Sequence, residues 1–179
     1  MRNSEIEKLS ACRLETSIGP LFLESTETAL VSVRFGAEPA GSFSRDEPLN
    51  AACRTVSGTM SAVSGPEPLR LAAQEIAAWL AGEIDQFSVP LDPRGTPFQM
   101  AVWAEVRKIG RGETRTYGQI ARVLGNPNAC RAVGSAVGKN PLPLIIPCHR
   151  VVGASGPGGF SGGMRIKRRL CELEGIRLS

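Results

Sequence analysis

The chain has 179 residues, 42% of them hydrophobic and 21% charged, enough for one cored domain or two small ones and too apolar for a disordered chain. No apolar run approaches the length of a membrane span, and the segment Leu142–Ile146 is broken by Pro143. The net charge of +4 conceals an asymmetry: residues 1–96 carry 8 Lys+Arg against 13 Asp+Glu, a net of −5, while residues 97–179 carry 13 against 4, a net of +9. A basic half joined to an acidic one points to a polyanion met by the second half alone; a basic surface that is merely solvated is the alternative.

Met1–Cys12 is polar, mixed in charge and without the apolar core of a signal peptide, so a reducing, cytoplasmic setting is expected. Arg13–Ser17, the turn signal Gly19-Pro20, and the alternating runs Leu21–Glu24 and Leu30–Phe35 read as a small antiparallel meander. Residues 36–66, rich in Gly, Ser, Pro and Ala, read as loop with a short helix near Leu49–Val56. From Pro68 to Ala81, Leu69, Ala72, Ile76 and Leu80 recur at helical spacing, and Gly82 stops the helix. Phe87–Leu91 reads as a further strand. Asp92-Pro93-Arg94-Gly95 reads as a linker, where the charge changes sign, so two domains are expected, 1–91 and 92–179.

The second half reads mainly as helix. Thr96-Pro97 starts a helix with proline at its first position, and Phe98, Val102 and Val106, with Met100 and Trp103, give its apolar face. After Gly110 and Gly112, Thr116 caps a short helix with Gln119 three residues on, a capping box; Ile120 and Leu124 face inward. Gly125 closes it, and Asn126-Pro127 opens a second short helix running to about Val137. Two short helices joined by a tight turn make a helix-turn-helix. A last helix, Met164 to Glu174, is expected to bury Ile166, Leu170 and Leu173. The fold class is thus α+β: a small antiparallel sheet with a helix, followed by a mostly helical, winged helix-turn-helix-like domain.

The second helix of that pair has an unusual face. Val133 and Val137 point to the core and Arg131 points outward, while its neighbours Ala129, Cys130, Ala132, Gly134 and Ser135 are small. A major-groove reader carries polar side chains for base edges, and this helix has almost none. Small residues let a helix lie close against another surface, with one long arginine entering a groove or a base stack. Ordinary helix packing with a surface arginine is the alternative.

Five cysteines, Cys12, Cys53, Cys130, Cys148 and Cys171, have no short spacing, and His149 is the single histidine, so no structural metal is expected. Four of the cysteines read as small buried hydrophobes. Cys148 differs. It follows Leu144-Ile145-Ile146, which reads as a short buried strand, and Pro147, and it precedes His149 and Arg150. A thiol needs a base or a positive charge to become a nucleophile. Adjacent side chains of an extended chain point apart, so His149 needs a backbone turn or a bridging water to act on Cys148. Its imidazole also needs an orienting carboxylate, and only Glu172 and Glu174 follow it.

Pro147-Cys148-His149-Arg150-Val151, together with Tyr117, Asn126-Pro127, the Arg131-Ala-Val-Gly helix, Asn140-Pro141, the Ser161-Gly162-Gly163 loop and Leu173-Glu174-Gly175, resembles the O6-alkylguanine-DNA alkyltransferases over about residues 96–175. The resemblance implies an N-terminal domain of ribonuclease H-like type and direct DNA repair. One alkyl group moves irreversibly from guanine O6, less firmly from thymine O4, to a protein cysteine, with no cofactor. It makes Cys148 the acceptor, His149 the base through a water, Glu174 its orienting carboxylate and Asn140 the holder of the preceding turn. Tyr117 lines the pocket and donates to guanine N3. Arg131 fills the place of a base flipped from double-stranded DNA. Backbone groups at Cys148 and Val151 accept from the base amino group, and Ser161 N–H donates to O6. The helix bearing Ala129, Cys130, Arg131, Gly134 and Ser135 lies in the minor groove of DNA bound by a monomer.

Two departures from the family pattern stand out: Phe160 replaces an aromatic hydroxyl, and the stretch Gly153–Gly159 is about one residue shorter than in the human-like pattern. Three other classes compete. A non-catalytic binder of alkylated DNA carries another residue in place of Cys148. A Cys-His hydrolase takes its base from a distant position, and no second histidine exists. A transcription regulator needs a polar reading helix and a sensor domain. Arg150 reads as a salt-bridging residue at the surface or behind the site rather than as a catalyst.

Overall fold

The computed structural model describes residues 9–36, 53–54 and 63–178, and the chain divides into two compact units, Met1–Asp92 and Pro93–Ser179. In the first, β1 (Ser10–Glu15), β2 (Leu21–Ser25) and β3 (Leu30–Phe35) form the antiparallel meander, and β4 (Cys53–Arg54) adds in parallel to β1, giving the order β3-β2-β1-β4. Alternating apolar residues put Leu14, Leu21, Leu23, Leu30 and Val33 in a core with Leu69, Ala72 and Ile76 of α1 (Glu67–Ala81), which packs on all three long strands. The helical stripe ends on Trp79; Leu80, expected inside, is only half-buried.

Two expectations fail here. Phe87–Leu91 makes no strand: only Leu91 bridges Leu30, because Pro90 lacks an N–H and contributes just its carbonyl, 2.8 Å from Leu30 N. The helix near Leu49–Val56 is contradicted at Cys53–Arg54, which is β4; its other positions, like most of the loop 36–66, lie outside the described residues.

The second unit is built on α2 (Pro97–Arg107), α3 (Tyr117–Val123), α4 (Cys130–Gly138) and α5 (Met164–Leu173), with β5 (Arg115–Thr116) paired in parallel to β6 (Val151–Val152). Both threonine caps form: Thr96 with Gln99 and Thr116 with Gln119 exchange hydrogen bonds reciprocally. Val102, Trp103 and Val106 bury α2 against its neighbours, whereas Phe98 and Met100, expected on that face, are each 39% exposed. Trp103 Nε1 donates to Ala136 O at 2.8 Å and so pins α2 to α4.

The helix α4 starts at Cys130 rather than at Pro127. Ala129 N donates to Asn126 O at 3.0 Å, which spends the Asn-Pro signal on a turn before the helix. Val133, Ala136 and Val137 face the core, and Arg131 and Ser135 are exposed. Cys130 is exposed too, against the expectation of burial, and no disulfide joins Cys12, Cys130, Cys148 or Cys171. Among the described residues no helix is long and apolar enough to cross a membrane.

Candidate active site

The apolar run before Cys148 is buried, but it is a turn and not a strand. Asn140 is the reason. Its Oδ1 accepts from Leu142 N at 3.0 Å and its Nδ2 donates to Ile146 O at 2.8 Å, so one amide side chain does what a neighbouring strand would have done. Ile146 N closes on Leu142 O at 2.8 Å, and Leu144 takes φ 75°, a left-handed conformation that a leucine holds only when its surroundings enforce it. The chain then enters one turn of 3₁₀ helix, Cys148–Arg150, which supplies the bend that His149 needed beside Cys148.

Cys148, His149 and Arg150 are all buried in that turn, His149 completely. His149 Nε2 meets Glu174 Oε1 at 2.8 Å. Arg150 forks onto the same carboxylate, Nε to Oε2 and Nη2 to Oε1, both at 2.8 Å, and its Nη1 donates to Ile109 O at 2.5 Å. Arg150 is therefore an interior residue. Glu174, not Glu172, is the orienting carboxylate; Glu172 is exposed and pairs with Arg169. Burial pushes the Glu174 carboxyl up, but the hydrogen bonds from His149 and Arg150 outweigh it and bring it down to about 2. Burial lowers the affinity of His149 for a proton, Glu174 restores part of it, and the charges of Arg150 and Lys167 reduce it again, leaving a net lowering.

Burial also pushes the Cys148 thiol up to about 11; Asn140 and Lys167 offset only part of that rise. In the free protein this sulfur is a neutral thiol. It is not sealed in hydrocarbon, however. It faces a cavity of about 220 Å³ lined by Tyr117, Gly134, Val137, Gly138, Gly159, Phe160 and Ser161. Burial raises the pKa of Tyr117 at this wall, the Gly159 backbone opposes that, and charge on Cys148 adds to it. Gly158 has φ 70°, and a Cβ there would stand 2.8 Å from Tyr117 Oη, so only glycine lets the loop close over the ring.

Lys167 holds the glycine-rich loop. It is fully buried on α5, and its Nζ donates to Val151 O at 2.7 Å, Pro157 O at 2.5 Å and Gly159 O at 3.2 Å. Three N–H bonds meet three carbonyls and clasp the glycine-rich loop to β6. We expect Lys167→Met, similar in length but without donors, to lower stability by about 1–3 kcal/mol in urea denaturation, since three carbonyls lose their partner. A variant as stable as the parent would remove the clasp.

Residues 97–176 match the family model of the 6-O-methylguanine DNA methyltransferase, DNA binding domain. The methylated-DNA–protein-cysteine methyltransferase of Methanosarcina acetivorans is 41% identical over 162 residues, covering 90% of this chain and 95% of that protein. The chain belongs to the methylated-DNA–protein-cysteine methyltransferase family. The Mycobacterium tuberculosis methyltransferase of the same name is also 41% identical, over 92% of this chain and 91% of its own. The crystal structure of Mycobacterium tuberculosis OGT in complex with DNA matches with a TM-score of 0.73 and 39% identity, over 92% of this chain and 91% of that one.

In this methyltransferase chain Cys148, His149, Asn140 and Glu174 come together at one turn, and Tyr117, Phe160 and Ser161 line the adjoining cavity with Cys148. Gly134, expected on the outer face of α4, is in the cavity wall. Val151 is not among the lining residues, and its carbonyl oxygen takes Lys167 Nζ. Arg131, Cys130 and Ser135 are exposed and Ala129 is half-exposed on or beside α4. Sequence reasoning missed Lys167 and the lining roles of Val137, Gly138 and Gly159. The signal for Lys167 was its place three residues before Leu170, inside the apolar stripe of α5, where a solvated lysine is out of place.

Proposed function

We propose that the protein repairs DNA by moving one alkyl group from guanine O6 to Cys148. The observation that carries this reading is the Cys148 thiol at the wall of a cavity, in one turn with a His149–Glu174 pair. The activity named for the relatives, methyl transfer from methylated DNA to a protein cysteine, supports it. His149 takes the thiol proton through a bridging water as the sulfur attacks the alkyl carbon. The S–C bond forms, the C–O6 bond breaks with its electron pair going to guanine, and the guanine anion regains a proton from solvent as it leaves. The product is a thioether with no ready hydrolytic exit, so each molecule acts once.

A target base stacked in duplex cannot reach a buried sulfur, so it is flipped into the cavity. Tyr117 donates to N3, Phe160 stacks on the ring, Ser161 N–H donates to O6, and the backbone at Cys148 takes the exocyclic amine; Val151, outside the cavity wall with its carbonyl on Lys167, is left out of that contact. Exposed Arg131 fills the vacated place, while the small residues Ala129, Cys130 and Ser135 allow α4 to seat in the minor groove as a monomer. Arg131→Ala is expected to slow repair of a methylated duplex about tenfold more than reaction with free O6-methylguanine base. Equal losses on both substrates would remove the finger role. To test the function, the protein is titrated against a duplex with one O6-methylguanine and the restored guanines are counted. The count should plateau at one per molecule; none, or continued turnover, would reject the reading.

A further inference from the structure

We propose that Arg150 is a positioning residue that keeps His149 a neutral base by neutralising the charge of Glu174; this rests on the alkyl-transfer reading above. A lone buried carboxylate facing an imidazole draws a proton onto the ring, and an imidazolium cannot accept the thiol proton. Here both carboxylate oxygens are held by the fork of Arg150, and Gly112 N approaches Oε2 at 3.4 Å as a further donor. Glu174 Oε1, shared between Arg150 Nη2 and His149 Nε2, still accepts a hydrogen bond from the ring, but the pair it belongs to carries no net charge. That arrangement places the ring proton on Nε2 and makes Nδ1 the nitrogen that can serve Cys148.

The fork cannot swing away, because Arg150 Nη1 is tied to Ile109 O at the end of α2 and the guanidinium is buried. The other groups facing the ring act in the same sense or carry no charge. Lys167 on α5 adds a cation, and the thiols of Cys148 and Cys171 stand by, the latter 3.6 Å from His149 O. Glu174 is the one carboxylate in contact with the ring among the described residues. Arg150 is thus to His149 what a counter-ion is to a salt: it removes the field that would protonate the base while leaving the hydrogen bond that aims it.

The chain has a single histidine, so its ring gives an unambiguous NMR signal. The ring pKa is measured in the parent and in Arg150→Gln, and single-turnover transfer from a methylated duplex is followed against pH in both. In the parent the ring should titrate below the ordinary histidine value. In Arg150→Gln the ring pKa and the acid limb of the rate profile should rise together by about one unit, giving a rate loss that approaches tenfold at pH values below both limbs and recovers at high pH. Arg150→Lys, which keeps the charge, should retain the parent's profile. A uniform loss with unchanged pH dependence in Arg150→Gln, or a parent ring titrating at or above the ordinary histidine value, would overturn the inference. Should Arg150→Gln not fold, the parent ring titration and the Arg150→Lys profile decide alone. A parent that moves no methyl to Cys148 would defeat the alkyl-transfer reading instead, while the ring titrations would still report on Arg150.

Discussion

Cys148→Ala is expected to lose methyl transfer completely while binding a methylated duplex as tightly as the parent does. Among the described lining residues the sulfur is the one soft, polarisable nucleophile, and it shares its turn with the His149–Glu174 pair; the hydroxyls of Tyr117 and Ser161 are weaker nucleophiles towards an alkyl carbon. The side chain is 3% exposed, so it contributes little to a DNA-contacting surface. Removing one sulfur from a turn held by Asn140 should cost no more than about 1 kcal/mol. Single-turnover repair and fluorescence anisotropy on the same duplex measure the two effects. Transfer persisting at the parent's rate would move the acceptor to another cysteine, with exposed Cys130 the first to examine.

The second large effect concerns Glu174. Glu174→Gln keeps the shape of the side chain and removes its charge, leaving the buried guanidinium of Arg150 without a counter-ion. Breaking a buried pair from one side costs about 3–5 kcal/mol, and that loss is expected in urea denaturation. The sign of the pH dependence follows from the lowered carboxyl. It binds its proton at about 2 in the folded protein against an ordinary 4.5, so its stabilisation is complete above about pH 4.5 and is lost as pH falls towards 2. The parent should therefore shed about 3 kcal/mol across that interval, and Glu174→Gln should lack this component. Transfer should also slow by tenfold or more, because amide and carboxylate do not orient His149 alike. A variant within about 1 kcal/mol of the parent would show that the pair adds nothing to the fold.

What the sequence made legible was local. The capping box at Thr116 depends on residues three apart and formed as read, and the helix start at Thr96-Pro97 carries a second box with Gln99. The Cys-His-Arg segment and its ordered flanking motifs also carried the family. What stayed hidden depended on partners far along the chain. Leu144–Ile146 has the composition of a buried strand, and no periodicity reports that the amide of Asn140 replaces a strand partner and lets Leu144 turn left-handed. Arg150 next to His149 looked like a salt-bridging charge at the surface or behind the site because its acceptors, Glu174 and Ile109 O, lie 24 and 41 residues away. The partners of Lys167 were hidden for the same reason, although its place in the apolar stripe of α5 marked it: its three carbonyls come from β6 and the glycine-rich loop. Asn126-Pro127 was overread, since a cap signal and a turn signal use the same residues.

The central claim is that one sulfur among five cysteines takes up the alkyl group, once. The protein is incubated with a duplex containing O6-methylguanine, digested, and the methyl located by tandem mass spectrometry. The account predicts one added methyl, confined to the peptide bearing Cys148. A methyl on any other residue, or restored guanine with an unmodified protein, would contradict it.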